Sequence, residues 1–316
     1  MRHFVCKFVC GILLLAGLYG ILLFVLLQKE KQKYKQAISL SEKSVICFSD
    51  SQTVYGLNPA AWPELVNLSS EAAPLDVQLM KLRDILGQNP GKISLVLIDV
   101  SFLRYANGKK CPVLTPDSVD VKFFPLYLWH NGESKLYATC PELWHSALNW
   151  TRYRLRSLMT HDNTCILAQG FLERNGSQIL SKRTKQEEEG RQYAQWCNEA
   201  MPLSHDAWSR KVIAEMFENC QKHQIQSCLL HMPLHSFVLQ HLKPEILHVF
   251  QEEQQGLAQA YGARFISLWG LPLEDSDYID INHLNASGAY IAAGWLKQQL
   301  QCSSLSPQCQ INNPRP

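Results

Sequence analysis

The sequence predicts an α/β protein built on an open, mostly parallel sheet with flanking helices in three layers, preceded by an N-terminal transmembrane helix. Three observations carry this expectation. An uncharged apolar run, Phe8 to Leu27, opens the chain. Short apolar runs of the kind that buried parallel strands need recur behind it. Apolar residues at helical spacing alternate with those runs, and strand–helix alternation implies right-handed crossovers.

The first run reads FVCGILLLAGLYGILLFVLL, and a bilayer core takes about 20 apolar residues to cross. A cleavable signal has a shorter apolar region, about 7–15 residues, followed by a small-residue cleavage site. Here the run ends in Gln28-Lys29-Glu30-Lys31 without such a site, so residues 1–27 are expected to be a retained anchor. Arg2 and Lys7 flank one side, and Lys29, Lys31, Lys33 and Lys35 the other. Taken alone, the positive-inside rule puts the large domain in the cytoplasm. Residues 28–43 are polar and Lys-rich, the composition of a stalk.

The main domain is expected over 44–301. Its first strand is Ser44-Val45-Ile46-Cys47-Phe48, ending at Ser49-Asp50-Ser51. Leu65 to Leu68, Ile93 to Val100, Ser227 to Met232 and Arg264 to Leu268 have the same character. Pro74 to Leu86 carries Leu75, Leu79, Leu82 and Leu86 on one helical face, with Pro74 suited to a first turn. Ala207 to Gln221, Pro244 to Tyr261 and Ala286 to Leu300 read as further helices. The interval 103–195 breaks this rhythm. Its Tyr127, Trp129, Tyr137, Trp144, Trp150 and Tyr153 mark an aromatic-rich insertion, expected to pack on the sheet rather than line a carbohydrate or acyl groove. Within it, Ser181 to Arg191 (SKRTKQEEEGR) reads as a solvated loop. Residues 302–316 form a tail.

Of 316 residues, 46% are hydrophobic and 18% charged, which excludes long-range disorder. Thirty basic against 28 acidic residues, a net charge of +2, exclude a nucleic-acid partner held by bulk charge. Beyond the anchor lie Cys47, Cys111, Cys140, Cys165, Cys197, Cys220, Cys228, Cys302 and Cys309, with no Cys-x-x-Cys pair and no zinc spacing. Cys302 and Cys309 bracket Pro307 and can close a loop in an oxidising compartment. Cysteines inside strand-like runs read as buried small hydrophobes.

Two constellations can carry chemistry. Ser49-Asp50-Ser51-Gln52-Thr53 follows the first strand, at the carboxyl end where open α/β sheets place their sites. A hydroxyl there, beside main-chain N–H groups, suits a nucleophile whose oxyanion is held by the backbone. Serine and aspartate are also ordinary turn and cap residues at such a place. The second is Asp280-Ile281-Asn282-His283-Leu284-Asn285-Ala286-Ser287-Gly288, before the last helix. A carboxylate three residues before a histidine can hold one imidazole tautomer and stabilise the imidazolium. The plain alternative is a helix start capped by Asn285.

Together, Ser49-Asp50-Ser51 after the first strand and Asp280-x-x-His283 before the last helix resemble the SGNH/GDSL hydrolase superfamily. The continuation Val54-Tyr55-Gly56-Leu57-Asn58-Pro59, with Val66-Asn67-Leu68-Ser69, is similar to a membrane-anchored branch that includes relatives of alginate O-acetyltransferases and DltD-type proteins. The resemblance spans about Val45 to Leu300. It implies Ser51 as nucleophile, His283 as general base and Asp280 as its orienting carboxylate, with the Ser51 N–H as one oxyanion donor and Asp50 nearby. Family members draw a second donor from a glycine after the second strand. Here Ser69 or Ser70 stands in that place. The family's asparagine donor after a middle strand is lacking; the matching place reads Leu230-His231-Met232-Pro233-Leu234-His235, and His231 and His235 are pocket or rim candidates.

No cofactor and no metal are expected. His231 and His235 are four apart, but Pro233 lies between them and no carboxylate is suitably spaced. The resemblance implies an O-acyl, chiefly O-acetyl, esterase or acyltransferase acting on an extracytoplasmic glycan, with a multi-spanning membrane partner if transfer is the reaction. That location opposes the lysine count. The other reading is a catalytically incomplete scaffold that binds glycan or assembles a complex. Of the Asn-x-Ser/Thr sequons at Asn67, Asn149, Asn175 and Asn285, the last falls inside the proposed catalytic loop, where a glycan would obstruct chemistry.

Overall fold

A computed structural model describes residues 2–42, 44–102, 122–130, 140–159, 166–200 and 207–302. The chain divides into two units, one of residues 1–37 and 111–167, the other of 38–110 and 168–316.

The second unit holds a five-stranded, wholly parallel sheet of order β2-β1-β3-β4-β5. The strands are β1 (Ser44–Phe48), β2 (Leu65–Asn67), β3 (Ile93–Asp99), β4 (Gln226–His231) and β5 (Arg264–Ser267). The central strands β1 and β3 are apolar and buried on both faces, because helices cover both. Val45, Cys47, Leu95, Leu97, Cys228, Leu230 and Ile266 alternate along their strands and pack with Ala293, Leu296 and Leu300. Those three belong to the last helix, α11 (Ala286–Cys302). Ile46, Phe48, Val96, Ile98 and Leu229 alternate with them and are buried on the opposite face. On this unit α3 (Leu75–Gln88) packs against α8 (Ala207–Lys222), and α10 (Pro244–Ala260) against β5. Pro74 takes the capping position just outside α3 rather than its first turn.

The sheet order reverses at β1. From β1 the chain crosses to β2 at one edge, then returns past β1 to β3. That reversal opens a crevice at the strand carboxyl ends, and the short α2 (Ser51–Gly56) starts there.

The first unit holds α1 (Arg2–Ala37), α4 (Phe124–Trp129) and α5 (Cys140–Met159). From Cys6 onward α1 is long and apolar enough to cross a membrane. The expected stalk is corrected in part: α1 runs on without a break to Ala37, and its Glu30 and Tyr34 are buried. Between Lys29 and Ala37 there is no glycine or proline, only good helix formers and one tyrosine, so nothing ends the helix. Glu30 pairs with Arg154 at 3.1 Å, and Tyr34 stacks on Trp129.

The insertion is likewise divided. Residues 111–167 group with α1, whereas 168–195 group with the sheet. The expected loop Ser181 to Arg191 is helical instead, ending α6 (Gln178–Ser181) and opening α7 (Arg183–Ala200). Opposite charges four apart, Arg183–Glu187 and Lys185–Glu189, favour the helix. Gly190 lets α7 approach α9 (Ser236–Leu239): a Cβ there would stand 2.8 Å from the Phe237 carbonyl oxygen. Tyr137, Cys111, Cys165 and Cys309 lie outside the described residues.

Candidate active site

Ser51 is the first residue of α2, directly beyond β1. Asp50 caps the helix, its Oδ1 accepting from the Gln52 N–H at 3.0 Å and its Oδ2 from the Ser101 hydroxyl at 2.9 Å. Asp50 is therefore a buried structural cap that fixes where Ser51 points. The Ser51 N–H, the first of the helix, is beyond reach of intrahelical bonding.

His283 comes to Ser51 from the far end of the chain. Asp280 shapes its loop: Oδ1 accepts from the backbone N–H groups of Asn282 at 3.1 Å and His283 at 3.0 Å. The loop closes with Ile279 N–H donating to the His283 carbonyl at 2.8 Å. His283 Nδ1 lies 3.0 Å from both Asp280 oxygens, and Nε2 lies 2.9 Å from Ser51 Oγ. Burial pushes the Asp280 carboxyl up, but the His283 ring and the two backbone donors outweigh it and hold the group below its usual value. An ionised carboxylate only accepts, so Nδ1 carries the proton and Nε2 accepts from the Ser51 hydroxyl. This is a nucleophile, base and orienting acid in one hydrogen-bonded line. The site is open to solvent, with the His283 and Asp280 side chains 20% and 26% exposed.

The turn after β2 overturns one expectation. Ser69 and Ser70 are completely buried, and both backbone N–H groups are committed. Ser69 N–H donates to Asn67 Oδ1 at 3.0 Å, and Ser70 N–H to the Ser49 carbonyl at 3.1 Å. Even the Glu71 N–H is used, by Gln169 Oε1 at 2.8 Å. The hydroxyls are occupied too, Ser69 Oγ accepting from the Ser49 N–H and Ser70 Oγ from the Lys81 ammonium at 2.7 Å. Neither serine is an oxyanion donor, because the turn is folded back onto β1.

The expected pocket segment after β4 is also corrected. β4 stands two strands from β1; the strand beside β1 on that side is β3, which ends at Asp99 and is followed by Val100-Ser101. His231 is buried against the rings of Phe250 and Trp269, with Phe265 edge-on to it. Burial alone pushes its pKa down to about 3, so it is a neutral core residue. His235 caps α9, its Nδ1 accepting from the Phe237 N–H at 3.2 Å and its Nε2 donating to Asp275 at 3.0 Å.

Several neighbours of the triad escaped the sequence reading. Tyr55 sits one helical turn beyond Ser51 and meets the His283 ring edge-on at 5.3 Å. The i, i+4 spacing on α2 is a signal for it. The Tyr55 hydroxyl bonds Glu71, and the Arg174 guanidinium stacks over the Tyr55 ring at 4.4 Å. Arg174 belongs to a segment that bridges the two halves of the site. Gly170 N–H donates to the Ser69 carbonyl, Leu172 N–H to that of Val54, and Ala286 N–H to that of Arg174. Gly170 takes φ +76, and a Cβ there would crowd the Asn67 carbonyl at 3.1 Å. Nothing local in the sequence marks this segment.

Asn67 and Asn285 are both structural. The Asn67 amide donates to the carbonyls of Thr53 and Leu57. Asn285 Oδ1 caps α11, accepting from the Ser287 and Gly288 N–H groups, while Nδ2 donates to the Ser276 carbonyl. Neither amide can carry a glycan in this fold. Among the described residues, no group of three His, Cys, Asp or Glu side chains is placed to hold a metal ion.

No protein-family model matches the chain, and no curated protein matches it. The solved structures it is similar to include the following two. One is a protein from Streptococcus pneumonia provisionally named a platelet activating factor, at 13% identity and a TM-score of 0.45 over 91% of this chain and 98% of that one. The other, from Bacteroides fragilis, is provisionally named an acylhydrolase, at 10% identity and a TM-score of 0.41 over 86% of this chain and 96% of that one.

Proposed function

We propose that this chain is a membrane-anchored serine esterase or O-acyltransferase, acting on O-acyl, chiefly O-acetyl, groups of an extracytoplasmic glycan. The observation that carries the reading is the line Asp280–His283–Ser51, with contacts of 3.0 and 2.9 Å. Ser51 Oγ attacks the ester carbonyl and passes its proton to His283 Nε2. The Ser51 N–H stabilises the oxyanion. His283 returns the proton to the leaving alcohol, and an acyl-enzyme remains. A sugar hydroxyl or water then attacks the acyl carbon, losing its proton to His283 Nε2, which passes it to Ser51 Oγ as the acyl–Oγ bond breaks. The glycan, the exported location and a multi-spanning acyl-donating partner follow from the resemblance to the anchored SGNH-like branch, against the lysine flanks of α1.

One observation favours a second reading, a catalytically incomplete glycan-binding or assembly protein. The N–H groups of Ser69, Ser70 and Glu71 are all committed, leaving the Ser51 N–H as the donor identified. Loss of one oxyanion donor costs about 10²–10³ in rate in other enzymes. Intact-mass labelling of the full chain with a fluorophosphonate, beside Ser51→Ala and His283→Ala, separates the two. A single adduct on the wild type, absent from both variants, is expected. Folded wild type without an adduct gives the second reading.

A further inference from the structure

The unit that contains the anchor carries a second helix whose place relative to the bilayer follows from its contacts with the first. The uncharged part of α1, Phe8 to Leu27, rises about 30 Å, the thickness of the hydrocarbon core. Tyr19 lies eight residues before its end, hence about 12 Å inside the core boundary. Its hydroxyl is 3.1 Å from Thr151 Oγ1 on α5. A tyrosine side chain is shorter than that depth, so Thr151 meets it below the boundary.

Glu30 stands three residues beyond Leu27, just outside the core. It pairs with Arg154, also on α5, at 3.1 Å, and both side chains are buried. The two contacts thus bracket the lipid boundary, one on each side. They are eleven residues apart on α1 but three apart on α5, so the helices cross there rather than run side by side.

The rest of α5 shows what it meets. Tyr153, Leu155 and Met159 are 41%, 39% and 75% exposed, with Arg152 and Arg156 exposed among them. Apolar and aromatic bodies interleaved with arginines are the composition of a helix lying in a headgroup layer. The guanidinium groups are complementary to lipid phosphates.

We propose that α5 is a second membrane-contacting element, which seats Leu155 and Met159 in the lipid interface beside α1 with Arg152 and Arg156 at the phosphates. The anchor is then a crossed pair of helices that sets the depth and tilt of its unit, rather than a lone tether. This does not depend on the esterase reading. It does depend on α1 spanning the bilayer.

The test places the photo-crosslinking residue p-benzoylphenylalanine singly at Leu14, Leu155, Met159 and Glu252 of the full chain, reconstituted in phosphatidylcholine–phosphatidylglycerol vesicles. Leu14 lies exposed within the span, and Glu252 is exposed on α10. Lipid adducts at Leu155 and Met159, in yields comparable to Leu14 and with none at Glu252, are expected. Adducts at Leu14 without adducts at Leu155 and Met159, or crosslinks from those two positions to protein instead of lipid, overturn the proposal. Absence of lipid adducts at Leu14 overturns it as well, through the anchor itself.

Discussion

The Ser49 hydroxyl donates to Asp99 Oδ2 at 2.9 Å, tying the end of β1 to the end of β3 directly behind the candidate nucleophile. Thr53 on α2 donates to the same oxygen at 2.8 Å. Asp99 thus links both flanks of Ser51 from inside the core.

That carboxyl should govern part of the pH dependence of stability. Burial, and then the nearby Asp50 charge, push its pKa up to about 7 against the two hydroxyl donors. The folded value lies above the unfolded one, so the folded state holds the proton longer. Its contribution is fully present below the ordinary carboxylate value of about 4 and is lost as pH rises through about 7. Asp99→Asn is expected to flatten the fall in stability across that window. Urea unfolding at a series of pH values checks this, and an unchanged slope would assign the dependence elsewhere.

Asp280 has the opposite sign. Its folded value lies below the usual carboxylate value, so its contribution is present above that value and is lost as pH falls through the folded one. Asp280→Asn keeps the size of the side chain but removes the charge that selects the His283 tautomer. In a protease triad the same change lowers turnover about 10⁴-fold. A loss of this order in the rate of fluorophosphonate labelling is expected, with far-ultraviolet circular dichroism unchanged.

Gly288 is held against the turn that precedes the catalytic loop. A Cβ there would stand 2.3 Å from the Asp277 carbonyl oxygen, which also accepts from the Asn285 N–H. Backbone cannot yield as a flexible side chain does, so Gly288→Ala must displace the loop carrying Asp280 and His283. A destabilisation of about 1–3 kcal/mol is expected in denaturant unfolding, together with slower labelling of Ser51.

Among the described residues, four cysteines are buried free thiols: Cys47, Cys197, Cys220 and Cys228. Burial pushes the Cys197, Cys220 and Cys228 pKa values up to about 12 and that of Cys47 higher still, so the reactive thiolate is scarce. Iodoacetamide at pH 8 is expected to leave all four unmodified in the native chain and to alkylate them in urea. Peptide mass mapping reads the outcome.

The parts legible in the sequence share a physical trait: each is decided within a short stretch of chain. The strands announce themselves because residues buried on both faces are apolar in succession, and the helices because their apolar residues recur at helical spacing. Asp280 and His283 stand three apart in one loop, so their pairing is local as well. Residues 28–37 and 183–191 have the polar composition of a stalk or loop, yet both are helical, because helix formers fill the first and i, i+4 charge pairs support the second.

The approach of Ser51 to His283, 232 residues apart, depends on strand order and became visible only in the fold. So did the spent N–H groups of Ser69 and Ser70. Their side chains suit an oxyanion site, but the turn's closure on Ser49 and Asn67 consumes the donors. Asp99 and Arg174 gain their places from neighbours distant in the sequence, 46 residues away for Thr53 and 50 for Ser49 in the case of Asp99. By itself the sequence determined the elements, the apolar anchor and the chemical character of the candidate triad, because these rest on side-chain type and short spacing. Tertiary structure alone decided which groups meet and which donors stay open, because hydrogen-bond partners across a parallel sheet are set by crossovers and register.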